Sequence, residues 1–203
     1  RSVGSDFSLT QGLGGNCSVK SSNRMAVKAS GQRLAAIGEG GYFYEVEVEC
    51  GNYTDSVEHQ PGRPSIEVSL HALLPERYVL HLHSTKAVAL SLTLRPAEVA
   101  SSEFRSSGVK FLDYYRPGVD LTKALTRSLE RTRGTAFLLK NHGLIVAGET
   151  VSELETELRR IERLANTFLR VSTYAEVTPA ALDRSLSDFE IDNVAWQAAT
   201  NWR

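Results

Sequence analysis

The sequence predicts one compact domain, residues 1–203, that combines α-helices with β-strands. The chain has 203 residues, enough for a single hydrophobic core and too few for two ordinary domains. Apolar residues recur at helical spacing in some segments, such as 154–168, and alternate with polar residues in others, such as 42–50. Hydrophobic residues make up 41% of the chain, which is typical of a globular protein rather than a disordered one.

Composition and charge argue against several classes of function. The formal net charge is −1, so we expect no basic surface for nucleic acid. No apolar run approaches the roughly 18 to 20 residues that cross a bilayer, so we expect no membrane partner. The two cysteines, Cys17 and Cys50, do not make a disulfide framework, which favours a reducing, cytoplasmic location.

The first 55 residues are predicted to form a glycine-rich loop and then strands. Three glycines within residues 12–15 indicate backbone that takes positive φ or closely approaches a partner. Asn16 and Ser18 follow, and such a loop can hold an anion, although a plain tight turn is the commoner meaning. Residues 24–29 read as a strand that leads into a Ser30-Gly31 turn. This turn is predicted to form a second wall of the pocket bounded by the glycine-rich loop, with Lys20 and Lys28 as nearby positive charges. Alternation of polar and apolar residues predicts a half-exposed strand over 42–50.

Residues 64–83 hold three of the five histidines and one well-placed carboxylate. Apolar spacing predicts a helix over 66–74, ended by a proline, with Glu67 and His71 on one face because they lie four residues apart. Residues 78–83 read as a strand on which His81 and His83 share a face. Two imidazoles beside a carboxylate are half of a plausible metal site, although such a histidine pair is more often ordinary.

The second half of the chain adds a third histidine. Apolar runs in 135–148 flank Asn141-His142-Gly143 and predict a hairpin-like connection that fixes His142. Before it, the sequence predicts an apolar segment of undetermined type over 87–94, a polar loop or short helix over 97–110 and a strand over 111–118. Asp120 is predicted to cap a helix that runs to about residue 133, and a Thr150–Glu153 capping box opens a helix to about residue 171 with an apolar stripe that begins at Val151. In the tail, Trp196 and Trp202 are predicted to have packing roles.

Five motifs in a fixed order resemble the class II aldolase/adducin-head family. They are G-N-C-S, K-A-S-G, R-P-S-I-E-V-S-L-H, H-L-H and N-H-G-L-I-V-A-G, and the likeness covers roughly residues 10–170. The family includes sugar-phosphate aldolases, a sugar-phosphate epimerase, sugar-acid decarboxylases and a dehydratase. The resemblance implies a three-layer α/β/α domain around a mostly antiparallel central sheet. It also implies a homotetramer with active sites between subunits.

The resemblance assigns site residues position by position. His81, His83 and His142 match the three zinc ligands of the family, and Glu67 matches its catalytic glutamate. Zinc is the default metal for three histidines, although manganese, cobalt or iron can occupy such a site. The positions that match the substrate-phosphate site are Asn16, Ser30, Gly31 and Ser65. Arg63 and Lys28 are additional cations near this pocket, and an arginine suits a phosphate or a carboxylate equally.

The implied reaction is cleavage of a C–C bond in a small sugar phosphate or hydroxy acid. Zinc would stabilise the enediolate that remains, and Glu67 would move the proton. The same ligands suit a decarboxylase of a keto sugar acid, so the two reactions stay open. Epimerases of the family lack the glutamate, and adducin-like scaffolds lose the histidines, which makes both alternatives weaker. Two departures from the fuculose-phosphate aldolase pattern weaken a strict match, since Ile66 replaces a serine and no tyrosine follows His83 before Lys110.

Overall fold

The computed structural model describes residues 2–37, 43–55, 62–131 and 133–169. The assignment of residues 1–203 to one domain therefore stays a prediction. His59, Trp196 and Trp202 lie outside the described residues, as does the predicted end of the last helix near residue 171.

Within these residues, eight strands form one sheet in the order β4-β3-β2-β1-β5-β8-β7-β6. Every pairing is antiparallel except that of β6 with β7, which confirms a mostly antiparallel central sheet. The strands are β1 (Asn16–Ser21), β2 (Arg24–Lys28), β3 (Phe43–Glu49), β4 (Asn52–Asp55), β5 (Tyr78–Leu82), β6 (Lys110–Leu112), β7 (Ala136–Leu139) and β8 (Gly143–Gly148).

Helices cover both faces of this sheet and give an α/β fold with three layers. They are α1 (Ser2–Ser5), α2 (Val68–Leu73), α3 (Thr85–Thr93), α4 (Pro96–Val99), α5 (Ser102–Ser106), α6 (Val119–Arg131) and α7 (Val151–Leu169), with a short 3₁₀ turn over Leu34–Ala36. None of the helices that the structure describes is long and apolar enough to cross a membrane.

The alternation of side chains along β5 divides the core between the two faces. Leu80 and Leu82 pack with residues of α3 and α7, whereas Val79 packs on the other face with residues of α2 and α6. Since successive residues of a strand face opposite sides, His81 lies on the face of α2. The predicted separation of the histidine from the two leucines is confirmed.

The predicted helix over 66–74 is wrong at its start. Helix α2 begins at Val68, and Glu67 occupies the N-cap position with φ −103° and ψ 12°. A tight turn precedes the helix, because the Val68 amide donates to Ser65 O at 3.0 Å and the Glu67 amide donates to Ser65 Oγ at 3.2 Å. Ile66, expected on the apolar face, is 70% exposed. The prediction that Glu67 and His71 share one face of the helix is therefore wrong, because Glu67 precedes the helix.

Several other predicted boundaries change. The ambiguous segment over 87–94 lies in helix α3 up to Thr93, and the predicted strand over 111–118 ends at Leu112. Asp120 lies in the first turn of α6 rather than at its cap. Thr150 Oγ1 accepts from the Glu153 amide at 3.2 Å as expected, but the Glu153 carboxylate accepts from the Glu149 amide instead of the Thr150 amide. Val151 is 58% exposed and does not join the apolar stripe of α7.

Lys20 lies at the far end of β1 from Asn16, so the prediction that it supplies charge beside Lys28 is wrong. Its Nζ donates to Glu76 O at 3.1 Å, and burial lowers the pKa of Lys20 to about 8 despite the attraction of Glu76 and Glu149. The folded state therefore binds the Lys20 proton less tightly than the unfolded chain does. This lowers the free energy of unfolding at every pH at which Lys20 is protonated.

Replacing Lys20 by methionine is expected to raise the free energy of unfolding by about 1–2 kcal/mol at pH 7 relative to the parent protein. The gain should shrink as the pH rises from about 8 to 10.5, because the parent lysine then loses its proton in the folded state. Urea unfolding of both proteins at several pH values measures this difference. The exposed Lys86→Met change serves as the control, and a Lys20→Met gain that does not vary with pH would contradict the prediction.

Candidate metal centre

Three histidines from two parts of the chain meet at one end of the sheet. His81 and His83 come from β5 and the residue after its end, while His142 lies in the turn between β7 and β8. Because β5 pairs with β8, that turn folds back over the end of β5. One ring nitrogen from each histidine lies within 4.8 Å of the other two, and the Nε2 atoms of His81 and His83 are 3.1 Å apart.

The turn that carries His142 depends on a close backbone approach. Asn141 has φ +52°, a left-handed conformation that asparagine tolerates better than most residues. A Cβ added at Gly143 would lie 2.1 Å from Leu82 O, so only glycine fits between the turn and β5. The Asn-His-Gly sequence thus lets His142 approach the other two histidines.

The hydrogen bond of His81 directs its free nitrogen into the cluster. His81 is fully buried, and its Nδ1 lies 2.9 Å from Leu144 O, where only a protonated nitrogen can donate to the carbonyl. The Nε2 atom is then unprotonated and presents its lone pair towards His83. A backbone carbonyl that fixes the tautomer in this way is a common support for a metal-binding histidine.

Glu67 is buried against the histidines. Its Oε2 lies 3.3 Å from His81 Nε2 and accepts from Asn16 Nδ2 at 3.1 Å. Its Oε1 lies 3.3 Å from His142 Nε2 and, among the described residues, has no hydrogen-bond partner. Burial alone would raise the pKa of Glu67, but its contacts with His142, His81 and Asn16 lower the pKa to about 2. The group is therefore a carboxylate at neutral pH.

His81 and His83 favour the neutral form, and neutral imidazoles beside an ionised carboxylate suit a cation. Burial lowers the pKa of His81 to about 4 and also lowers that of His83, with the neighbouring His142 acting in the same direction. Metal ions bind neutral imidazole and ionised carboxylate, which are the forms favoured here at neutral pH. Three imidazoles beside a carboxylate oxygen that lacks a hydrogen-bond partner therefore fit a divalent transition metal.

Gly14 lies directly against this cluster. A Cβ added at Gly14 would lie 2.7 Å from Nδ1 of His83, closer than two such atoms can approach. The glycine-rich loop, expected to approach a partner closely, therefore packs its backbone on a histidine of the site.

Replacing Gly14 by alanine is expected to displace the His83 ring and weaken metal affinity by about 10-fold, at the low end of the effect of losing a supporting partner. A competitive titration with a coloured zinc chelator measures the affinity. Gly31→Ala is the control, because among the described residues a Cβ there meets open space, so its cost is the backbone strain of alanine at φ +77° without a steric contact. Equal zinc affinities for the two variants would contradict the steric argument.

The predicted phosphate-site residues fall into two groups. Asn16 and Ser65 lie beside Glu67, since Asn16 Nδ2 reaches both Ser65 Oγ at 3.3 Å and the carboxylate. Ser30 and Arg63 meet through the backbone, where the Ser30 amide donates to Arg63 O at 2.9 Å. Gly31 adjoins this second group at the end of β2, and the Arg63 side chain is exposed.

Lys28 has a different environment from the one a surface cation would have. It is buried, and its Nζ donates to Gln32 O at 2.6 Å and to Leu13 O at 3.4 Å. Burial lowers the pKa of Lys28, while the nearby Glu67 carboxylate opposes that change. Lys28 thus ties the glycine-rich loop to the turn that contains Ser30 and Gly31.

The sequence reasoning gave no role to one buried histidine. His71 is 1% exposed, its Nδ1 lies 2.8 Å from Ser18 Oγ, and its Nε2 is hydrogen-bonded to Asn16 Oδ1. Its spacing from Glu67 was the available signal, but the contact runs through Asn16 on β1, which local spacing does not reveal.

Comparison with known proteins gives a consistent picture. The chain is 26% identical over 174 residues to the uncharacterized oxidoreductase YuxG of Bacillus subtilis, with 73% of this chain and 25% of that protein covered, so it spans a quarter of that relative's length. It is 22% identical over 168 residues to an L-fuculose phosphate aldolase of Methanococcus maripaludis, covering 79% of this chain and 86% of the aldolase. It is 30% identical over 174 residues to a 3-oxo-tetronate 4-phosphate decarboxylase of Haemophilus influenzae, covering 78% of each.

The fold has a solved counterpart. The N-terminal class II aldolase domain of a conserved Thermoplasma acidophilum protein superposes with a TM-score of 0.69 at 26% identity, covering 83% of this chain and 89% of that one. The family described as Class II Aldolase and Adducin N-terminal domain matches residues 1–169. With eight strands, helices on both faces and a histidine cluster at one end of the sheet, this chain belongs to the class II aldolase and adducin N-terminal domain family.

Proposed function

We propose that the chain is a metal-dependent lyase that cleaves a C–C bond in a small sugar phosphate or sugar acid by a retro-aldol reaction. The observation that carries the proposal is the buried Glu67 carboxylate, whose Oε1 lacks a hydrogen-bond partner among the described residues and faces His142. A base of this kind beside a metal-binding cluster suits proton transfer at a carbon next to a carbonyl.

His81, His83 and His142 would hold the metal, with zinc as the first expectation and manganese, cobalt or iron as alternatives. A bound divalent metal would polarise the carbonyl oxygen of the substrate as a Lewis acid. Glu67 Oε2 stays fixed by Asn16, which leaves Oε1 free to take a proton from the substrate and return it to carbon. Burial of Glu67 keeps bulk water away from that proton.

Ser30, Gly31, Ser65 and Arg63 would bind the anionic end of the substrate. Ser65 lies within 3.3 Å of Asn16, next to the carboxylate, while Arg63 is exposed and its carbonyl accepts from the Ser30 amide. We also propose that Lys28 acts on the substrate by holding the two walls of this pocket together and by adding positive potential.

Decarboxylation of a keto sugar acid is the second candidate. It is favoured by the likeness to the Haemophilus influenzae decarboxylase, which at 30% exceeds the 22% identity to the Methanococcus aldolase. The same residues would serve both reactions, because each leaves negative charge on a carbon next to a carbonyl group. That carbon must then be protonated. Both candidates imply a phosphorylated or carboxylated substrate.

A substrate panel separates the two reactions. Metal-loaded protein is offered ketose 1-phosphates and 3-keto sugar acids with and without a terminal phosphate, and release of aldehyde or of carbon dioxide is measured. Aldehyde release supports the lyase proposed first, and carbon dioxide release supports the second candidate. Binding of metal with neither product would favour an epimerase or dehydratase, and a protein that takes up no metal would favour an adducin-like scaffold.

The assembly and location follow from the same reasoning. We propose a homotetramer with active sites between subunits, in which a neighbouring subunit would supply the group that accepts the hydroxyl proton as the aldehyde leaves. A cytoplasmic location is proposed from the cysteine content, since Cys17 and Cys50 are both free. Light scattering at several protein concentrations tests the oligomeric state.

A further inference from the structure

A chain of hydrogen bonds leads from the core of the protein to the Glu67 carboxylate. Ser18 Oγ contacts His71 Nδ1 at 2.8 Å, and His71 Nε2 contacts Asn16 Oδ1. Asn16 Nδ2 then reaches Glu67 Oε2 at 3.1 Å. Ser18, His71, Asn16 and Glu67 are all buried, so the four groups have no bulk water to replace any of these bonds.

The donor and acceptor groups of these four side chains fix the direction of every hydrogen bond in the series. A carboxylate only accepts hydrogen bonds, so Asn16 must turn its NH₂ group towards Glu67 and its oxygen towards His71. That oxygen also only accepts, so His71 must carry its proton on Nε2. The Nδ1 atom is then an acceptor, and the Ser18 hydroxyl donates to it. The opposite arrangement would place the Asn16 oxygen against the negative carboxylate, at a cost that burial increases.

We propose that His71 is a positioning residue, which locks the Asn16 amide so that the amide holds Glu67 Oε2 and leaves Oε1 for proton transfer. Without His71, the Asn16 side chain could rotate and present its oxygen to the carboxylate. Glu67 would then lose the donor that sets its orientation. The inference rests on the proposed role of Glu67 as the acid and base, and it adds a residue that acts on Glu67 through Asn16.

The position of His71 agrees with this role. It lies in the middle of α2 with Leu70 and Ala72, both buried, as neighbours in sequence, a place where an apolar side chain would pack without any polar cost. Burial lowers the pKa of His71 to about 3, so the ring is neutral at neutral pH and has one proton to place. The histidine therefore acts as an oriented donor and acceptor rather than as a charge.

The first test reads the tautomer of His71 directly. Metal-free protein labelled with ¹⁵N-histidine is studied by long-range ¹H–¹⁵N correlation spectroscopy, with His71→Gln used to assign the signal. The expected result is a proton on Nε2 of His71 and, as an internal contrast, on Nδ1 of His81, which donates to Leu144 O. A proton on Nδ1 of His71 would overturn the proposal, because Asn16 would then have to face it with its NH₂ group.

The second test uses a matched pair of amide replacements. Glutamine at position 71 reaches about as far as histidine Nε2 and can still donate to Asn16, whereas asparagine reaches only the Nδ1 position next to Ser18. We expect His71→Asn to lower kcat by about 10- to 100-fold with little change in KM or in metal content, and His71→Gln to recover most of that loss. Equal losses in the two variants would contradict a positioning role.

A double-mutant cycle separates positioning from a general structural effect. If His71 acts through Asn16, the double variant with His71→Asn and Asn16→Ala should be no slower than Asn16→Ala alone. Effects that multiply would mean that the two residues act independently and would overturn the inference. If no panel substrate is turned over, the proposed function fails, while the tautomer measurement still decides whether the hydrogen-bond chain exists. The same measurement, assigned with His71→Gln, decides the matter if His71→Asn does not fold.

Discussion

Replacing Glu67 by glutamine is expected to lower kcat by about 10²- to 10⁴-fold, the usual contribution of a general acid or base. Glutamine keeps the shape of the side chain and can still accept from Asn16 Nδ2, so the turn before α2 should keep its geometry. It cannot take a proton at the position of Oε1, which faces His142. Turnover of the substrate identified by the panel, measured with saturating metal, checks the effect.

Metal content distinguishes a lost base from a damaged site. The three histidines remain in Glu67→Gln, so about one metal per chain should still bind, measured by mass spectrometry of the purified protein. Glu157→Gln is the matched control, since Glu157 is also buried but pairs with Arg160 on α7. If Glu67→Gln turns over substrate normally, Glu67 is not part of the mechanism. If the variant also loses its metal, Glu67 acts mainly as a metal ligand.

Local patterns in the sequence predicted the parts of the fold that depend on alternation. The predicted strand over 42–50 contains β3 (Phe43–Glu49), where Tyr44 and Val46 are buried and the glutamates face outwards. The same period of two correctly separated His81 from Leu80 and Leu82. Segment 87–94 could not be assigned in this way because its apolar residues fit a helix and a strand equally well. Its helix is set by tertiary packing, as α3 lies against α7 and β8.

The candidate site was harder to predict from the sequence than the fold, because its contacts join residues that are far apart in the sequence. The register of β1 and β5 sets Asn16 opposite His81, and no local spacing reveals that pairing. The turn at residues 65–68 likewise places Glu67 outside the helix that local spacing predicted over 66–74. Patterns located the residue types of the site, whereas the resemblance to a family supplied their grouping. The family match over residues 1–169 confirms that resemblance.

Membership of the family does not choose the reaction. Relatives named as an aldolase and as decarboxylases match the chain at 22% and 30% identity, and both reactions use a base beside a polarised carbonyl. The distinction lies in what leaves the substrate, an aldehyde or carbon dioxide. Only aldehyde release requires a base that removes the proton of the hydroxyl group that becomes the carbonyl, which links the choice of reaction to the residues that a neighbouring subunit would contribute.

The metal centre itself provides the other large effect. Replacing His83 by alanine is expected to weaken metal affinity by more than the roughly 10- to 100-fold that follows loss of an outer partner, since it would remove a proposed direct ligand. His83 is a better choice than His81, because His81 is fully buried and also bonds to Leu144 O, so its loss would disturb the sheet. Metal content after dialysis, with and without added zinc, measures the change.

Thermal unfolding gives the same prediction a second readout. A metal present at about 100 times its dissociation constant stabilises the folded state by about 2.7 kcal/mol, so a chelator should lower the Tm of the parent protein. The chelator should leave the Tm of His83→Ala almost unchanged, because that protein holds no metal to remove. Lys86→Ala, a change at an exposed position three residues away, should behave like the parent. Retention of a full metal equivalent by His83→Ala would exclude His83 as a ligand and leave His81, His142 and Glu67 as the remaining set.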